Sequence, residues 1–309
     1  MRYISFGSNH QNVSEVVMGL MRISRMMPSE VARLIETGLD HGINALDTAD
    51  CYTNGKCEAI LGEALACVPG LRNRVFLQTK CGIRPDGDFT WFDFSKAHIL
   101  EAVDTSLARL KTDHVDSLLL HRPDALMEPD EIAEAFTILH DAGKVLDFGV
   151  SNMNPAMINL LKKSVHLPIS VNQLQLSCAY TPSLDAGFNV NMTNDASVMH
   201  EGGILEYCRA NDIVIQAWSP MQYGMFQGVF LGSDRYPRLN AVLDRIAAEQ
   251  ETTPTAVALA WILRYPGRVQ VVTGTTRESR IIDSAAASDV ALSKKQWYEI
   301  YLSAGNVLP

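Results

Sequence analysis

Four polar residues are of types that could do chemistry together. Asp47 opens and Tyr52 closes the run Asp-Thr-Ala-Asp-Cys-Tyr, Lys80 follows Val-Phe-Leu-Gln-Thr, and His121 follows Leu-Leu-Leu. The set suits reduction of a carbonyl group. Hydride arriving at a carbonyl carbon creates an oxyanion that must be protonated or stabilised. A tyrosine can donate that proton, although a free phenol titrates at about 10. A lysine ammonium within hydrogen-bond reach favours the tyrosinate, so Lys80 is expected to draw Tyr52 down toward the working range. A carboxylate such as Asp47 would keep the lysine charged and aimed. A neutral His121 would hydrogen-bond the carbonyl oxygen and orient the substrate. Each residue alone has a plainer reading, as a surface charge, a satisfied polar group or a half-buried aromatic. The combination and its order are what carry the argument.

These residues need elements that bring them to one place. Short apolar, β-branched runs predict eight strands, at Val16–Leu20, Ala45–Asp47, Val75–Thr79, Ser117–Leu120, Phe148–Val150, Val171–Leu174, Val214–Ala217 and Val269–Thr273. Amphipathic stretches between them predict helices at Ser29–His41, Glu58–Ala66, Ser95–Arg109, Asp130–Ala142, Pro155–Lys163, Ile204–Ala210 and Thr255–Arg264. Ser95 and Asn154-Pro155 are start signals, and Gly42 and Gly143 sit where left-handed helix ends belong. Strand–helix alternation repeated eight times is the pattern of an α/β fold of the (β/α)8, or TIM barrel, type. Two extra late helices are expected at Leu239–Gln250 and Lys294–Ser303. Long loops follow the third, sixth and seventh strands, at Ile83–Phe94, Thr181–Val198 and Met221–Pro237. Loops after strands build the C-terminal face of such a barrel, where active sites sit. Asp47, Lys80 and His121 end neighbouring strands, so with Tyr52 they can converge at that mouth. No linker or internal repeat is evident, and the expectation is one barrel domain spanning residues 1–309.

Composition narrows the function classes. The net charge of −9 disfavours nucleic acid and anionic membrane surfaces as partners. An anionic ligand would then need a local cluster of Arg, Lys or backbone N–H groups. The six cysteines form no Cys-x-x-Cys pair and no zinc-ligand spacing, which reads as reduced thiols and no metal site. Residues Met1–His10 lack the apolar run of a secretory signal. The expected location is therefore cytoplasmic.

The motifs resemble those of the aldo-keto reductase family. The resemblance rests on Asp47-Thr48-Ala49 with Tyr52, on Lys80 and on His121-Arg122-Pro123-Asp124. It continues through Gly149-Val150-Ser151-Asn152, Asn172-Gln173, Trp218-Ser219-Pro220 and Gly274-Thr275-Thr276-Arg277-Glu278-Ser279-Arg280-Ile281. It spans almost the whole chain in the family's order. It implies a nicotinamide cofactor across the barrel mouth and the catalytic roles argued above for Asp47, Tyr52, Lys80 and His121. It implies that Ser151, Asn152 and Gln173 hold the nicotinamide carboxamide and that Trp218 stacks on the ring. Ser219, Pro220, Met221 and Gly224 begin a loop implied to run along the pyrophosphate, largely through backbone N–H groups. Gly274, Thr275, Thr276, Arg277 and Arg280 follow the eighth strand and open a helix, whose N-terminus favours an anion. Two arginines there suit the 2′-phosphate of NADPH. Asp283 and Ser284 are implied to flank the adenine, and Met21 to approach the ribose. No Gly-x-Gly-x-x-Gly follows the first strand, which argues against a dinucleotide fold of the Rossmann type.

The substrate side is less determined, with Arg22 and Trp91 as its candidates. One departure from the family is Thr53, where glycine is common. Cys51 and Cys81 flank Tyr52 and Lys80, and thiols there could make an enzyme oxidation-sensitive, although small buried fillers is the simpler reading. Besides an NADPH-dependent reductase acting on an aldehyde or ketone as a monomer, two other readings are open. One is an NADPH-binding regulatory subunit with little turnover, a role this resemblance accompanies in potassium-channel β-subunits. The other is an aldolase using Lys80 as a Schiff-base nucleophile. Asp47 weighs against the latter by keeping the lysine charged.

Overall fold

The computed structural model describes residues 1–309, and the eight predicted strands are all present. They are β1 (Val16–Gly19), β2 (Ala45–Asp47), β3 (Phe76–Cys81), β4 (Val115–Leu120), β5 (Val145–Ser151), β6 (Ile169–Gln175), β7 (Val214–Trp218) and β8 (Val269–Thr273). All neighbours are parallel, and β8 pairs with β1 to close the barrel. The helices are α1 (Pro28–Asp40), α2 (Lys56–Cys67), α3 (Lys96–Leu110), α4 (Pro129–Asp141), α5 (Pro155–Leu161), α6 (Pro182–Phe188), α7 (Ile204–Ala210), α8 (Pro237–Glu249), α9 (Pro254–Leu263), α10 (Glu278–Ala285) and α11 (Lys294–Ser303).

Local chemistry accounts for many of these boundaries. Six helices, α1, α4, α5, α6, α8 and α9, begin with proline in the first turn, where its missing N–H costs nothing. Ser95 caps α3 by accepting from the N–H of His98 at 3.3 Å, and Asn154 caps α5 through Met157 at 2.9 Å. Gly42 and Gly143 take left-handed φ angles of 82° and 67°, as expected for helix ends.

Three features depart from the sequence reading. A hairpin of Tyr3–Phe6 and Gln11–Ser14 precedes β1. Its Phe6 enters the base of the barrel against Phe76, with ring centroids 4.7 Å apart. The loop expected at Ile83–Phe94 contains a second hairpin, Ile83–Asp86 with Phe89–Phe92. The loop expected at Thr181–Val198 contains α6. All three elements are short, and strands of four residues leave too few alternations to be read as a period.

The core has two parts. The larger lies between the strands and the surrounding helices, and a smaller one fills the barrel interior with Phe6, Val13, Val17, Ala45, Phe76, Leu119, Val171, Val214 and Val272. Interior positions alternate along each strand, so parity decides which residues face inward. Ala45 and Asp47 share one parity on β2, Phe76, Gln78 and Lys80 on β3, and Val214, Gln216 and Trp218 on β7. Apolar residues therefore take the base of the interior and polar ones the levels toward the mouth. Gly149 is required where β5 meets β6, because a Cβ there would lie 2.3 Å from Val171 Cγ1.

Candidate active site

The chemistry-bearing residues of β2, β3 and β4 meet at the C-terminal mouth. Lys80 is fully buried and donates to Asp47 Oδ2 at 2.8 Å, to the Thr48 carbonyl at 2.7 Å and to the Tyr52 hydroxyl at 3.2 Å. Its three N–H bonds are all used, so the ammonium is fixed in direction. His121 stands edge-on to the Tyr52 ring, with centroids 5.6 Å apart. The turn that carries Tyr52 into α2 has positive φ at Thr53 (52°), Asn54 (53°) and Gly55 (82°). A left-handed residue at position 53 explains why glycine suits that place; here Thr53 takes the conformation instead.

Burial sets the protonation states. Enclosure of the Tyr52 hydroxyl pushes its pKa up to about 12, outweighing the downward pull of Lys80. The expected net lowering is thus corrected: Lys80 limits the rise without reversing it. Tyr52 is accordingly a protonated donor throughout the neutral range. Burial pulls Lys80 down, but the negative charge of Asp47 carries it above its ordinary value. His121 is held well below the usual imidazole range by burial, by Lys80 and by Arg122, so it is neutral.

The Cys51 thiol lies 3.5 Å from His121 Nδ1. Burial and the neighbouring Asp50 push this thiol up to about 12, so it remains S–H. A thiol donating to Nδ1 leaves the single imidazole proton on Nε2.

Asp47 has a second set of partners that composition gave no reason to expect. Its Oδ1 accepts from Gln78 at 2.6 Å and from Gln173 at 3.0 Å. Both amides also donate to Gln216 Oε1 at 2.9 Å, Gln216 donates to Gln270 at 2.8 Å, and Gln270 donates to the Ser14 carbonyl at 2.8 Å. Gln173, Gln216 and Gln270 are register partners on adjacent strands. The chain of amides ends on acceptors at both extremities, a carboxylate and a carbonyl. Its direction is therefore fixed, and Gln173 Nε2 is committed to Asp47 and Gln216. Gln173 Oε1 receives no hydrogen bond within the protein and is left for a ligand donor.

Above the tetrad lies a cleft of about 880 Å³. Of the residues singled out in the sequence, Met21, Arg22, Asp47, Tyr52, His121, Ser151, Asn152, Gln173, Trp218, Ser219, Pro220, Met221, Gly274, Thr275, Thr276, Arg277, Arg280 and Ser284 line it. Lys80 lies beneath it. Gly224 and Asp283 are outside the lining, and Met225 and Phe226 reach in from the Gly224 loop. Trp91 is also outside: it sits on the second hairpin under the Arg84 guanidinium, 5.2 Å from its ring centroid. Arg22 donates to the Gly274 carbonyl at 2.9 Å and so ties the β1 end to the β8 loop. Cys51, Ile83, Arg122 and Gln222 line the cleft as well. Arg122 stood within the quoted His-Arg-Pro-Asp motif, which was the available signal.

The strand ends around the cleft are locally organised. Asn152 and Ser219 adopt left-handed φ angles of 57° and 49°, conformations that persist where surrounding structure over-determines them. Asn152 donates to Ser151 Oγ at 2.7 Å and accepts from the Trp218 indole N–H at 3.0 Å. Arg277 and Arg280 flank the start of α10 on exposed backbone, and neither has a carboxylate partner. The nearby Glu278 is taken by Arg33 at 2.6 Å.

The fold and this site together define a barrel oxidoreductase of one family. The sequence model of the aldo/keto reductase family matches residues 15–301, and the chain belongs to that family. It is 36% identical to a 6-dehydroglucose reductase of Agrobacterium fabrum over 304 residues, covering 95% of each chain. It is also 36% identical to the uncharacterized oxidoreductase YcsN of Bacillus subtilis, over 93% of each chain. Among solved structures, an aldo/keto reductase from Klebsiella pneumoniae in complex with NADP and acetate shares the fold, with a TM-score of 0.75 at 23% identity over 97% of this chain and 94% of that one.

Proposed function

We propose that this chain is an NADPH-dependent reductase of aldehydes or ketones, with Tyr52 as the general acid. The observation that carries the reading is the buried Asp47–Lys80–Tyr52 relay, with 2.8 and 3.2 Å contacts ending on a phenol at the cleft floor. Bound there, the nicotinamide supplies the hydride. The chain's own residues do the rest. Tyr52 delivers its hydroxyl proton to the nascent alkoxide, and Lys80 stabilises the phenolate left behind. Asp47 keeps the ammonium charged, and His121, through Nε2–H, orients the carbonyl oxygen. The fixed lysine, with all its protons engaged, disfavours the Schiff-base reading.

The cleft residues fit the cofactor. Ser151, Asn152 and Gln173, the last with its Oε1 unpaired, line one part of the cleft and suit a carboxamide. Trp218 offers the stacking face, with Met21 near the ribose, while Ser219, Pro220 and Met221 offer backbone along a pyrophosphate. The unpaired Arg277 and Arg280, beside Gly274, Thr275 and Thr276, suit a 2′-phosphate, and Ser284 flanks the adenine. The same reading makes the chain one barrel domain that is monomeric and cytoplasmic.

The test is a titration of the protein with NADPH and NADH by tryptophan fluorescence, followed by aldehydes monitored at the reduced-nicotinamide band. Tyr52→Phe should bind NADPH as the wild type does while turnover falls by about 10²–10⁴. Binding without turnover of any carbonyl would favour a sensing subunit, and no binding of either nucleotide would end the reading.

A further inference from the structure

Arg122 is a charged side chain in the cleft that the proposed mechanism does not use. It follows His121 directly and lines the cleft beside Tyr52. The other half-buried or buried guanidiniums near the barrel have acceptors. Arg72 holds Asp116 at 2.9 Å, Arg109 holds Glu58 at 3.3 Å, and Arg84 holds Asp93 at 3.5 Å. Arg122 has no carboxylate and no carbonyl. Its contacts are the Trp218 ring, 5.4 Å away, and the Met225 sulfur at 3.9 Å. Burial pulls its pKa below the ordinary guanidinium value, and the Trp218 ring with the neighbouring Tyr52 and Tyr180 offsets that pull only in part.

A guanidinium has five donors in a planar fork that matches a carboxylate or phosphate. Arg122 lines the cleft, so a bound ligand can supply that partner, and in an acidic chain such a cation is also what admits an anion. We propose that Arg122 is the anion-binding arm of the substrate site, and that the preferred carbonyl substrate carries a carboxylate. The assignment rests on the reductase reading above. The guanidinium lies over the ring proposed to stack on the nicotinamide and next to the residue that orients the carbonyl. An acid group held there would fix the carbonyl carbon relative to Tyr52 and exclude neutral carbonyls by comparison.

The same chemistry would also suit the pyrophosphate of the cofactor, since Met225 lies on the loop after Trp218. The experiment separates the two. Reduction of pyruvate, succinic semialdehyde and 4-carboxybenzaldehyde is compared with that of the matching primary amides, in wild type, Arg122→Met and Arg122→Lys. The wild type should favour at least one acid over its amide. In Arg122→Met, kcat/KM for that acid should fall about thirtyfold, the scale of hydrogen bonds to a charged partner. The amide should change by less than about threefold, with partial recovery in Arg122→Lys, which keeps the charge without the fork. NADPH affinity by fluorescence should stay as in the wild type. No preference for any acid, equal losses for acid and amide, or weakened NADPH binding would each overturn the proposal, the last assigning Arg122 to the cofactor. Calorimetric binding of the acid to the protein gives a readout apart from turnover. Binding lost in Arg122→Met would uphold the anion site even in a protein that reduces nothing, an outcome that would sink only the reductase reading.

Discussion

Asp50, between Ala49 and Cys51, carries a stability cost that one substitution should remove. Its carboxyl is enclosed beside the fully buried Glu58, and Asp50 Oδ1 has no hydrogen-bond partner. Burial first, and then the Glu58 charge, raise its pKa from 3.8 to about 7. The folded protein thus keeps a proton that the unfolded chain releases between those values. Stability from this group is complete below 3.8 and is lost as pH rises through about 7. At 1.36 kcal/mol for each tenfold change, the interval corresponds to about 4 kcal/mol, of which about 3 accrues above pH 5. Water access and local relaxation reduce such figures by roughly half, leaving about 1–2 kcal/mol between pH 5 and pH 8. Asp50→Asn removes the charge and keeps the shape. Its melting temperature should therefore exceed that of the wild type by about 2–4 °C more at pH 8 than at pH 5. Circular dichroism melts at the two pH values measure this directly. A difference in melting temperature that is the same at both would refute the reasoning. It would mean that Asp50 titrates like a solvated carboxylate and that Glu58 and burial have no hold on it.

Two further substitutions probe the cleft. Arg280→Ala removes an unpaired cation from the proposed 2′-phosphate site, so the Kd for NADPH should rise about 10–100-fold while NADH is unaffected. Equal weakening of both nucleotides in the same fluorescence titration would place the 2′-phosphate elsewhere. Cys51→Val deletes the thiol that faces His121 Nδ1, and kcat should fall about 2–10-fold with cofactor affinity unchanged, whereas Cys51→Ser should retain it. Imidazole nitrogen spectra should show the Nε2–H tautomer in the wild type and a mixture in the valine variant. An Nδ1–H tautomer in the wild type would contradict the assignment.

What the sequence made legible and what it hid divide along physical lines. The barrel strands were readable because a buried parallel strand is a short apolar run between helices, and Val-Ile-Gln-Ala-Trp or Val-Gln-Val-Val-Thr keeps that character despite its glutamine. The tetrad was readable because strand ends around one mouth are neighbours in any closed barrel. The hairpins and α6 were not, since each is too short to establish a period and is held by contacts from distant segments, such as Phe6 on Phe76. The direction of the Tyr52 pKa shift was misjudged for a related reason. The charge on Lys80 is visible in the sequence, but the depth at which the phenol lies is not, and depth outweighs the charge. The amide chain through Gln78, Gln173, Gln216 and Gln270 makes the same point from within the barrel. Each glutamine alone is an ordinary polar residue in a strand, and only closure of the sheet brings the four amides together. Once there, the two fixed acceptors at its ends decide every donor and acceptor between them, and with them which atom Gln173 can present to a ligand.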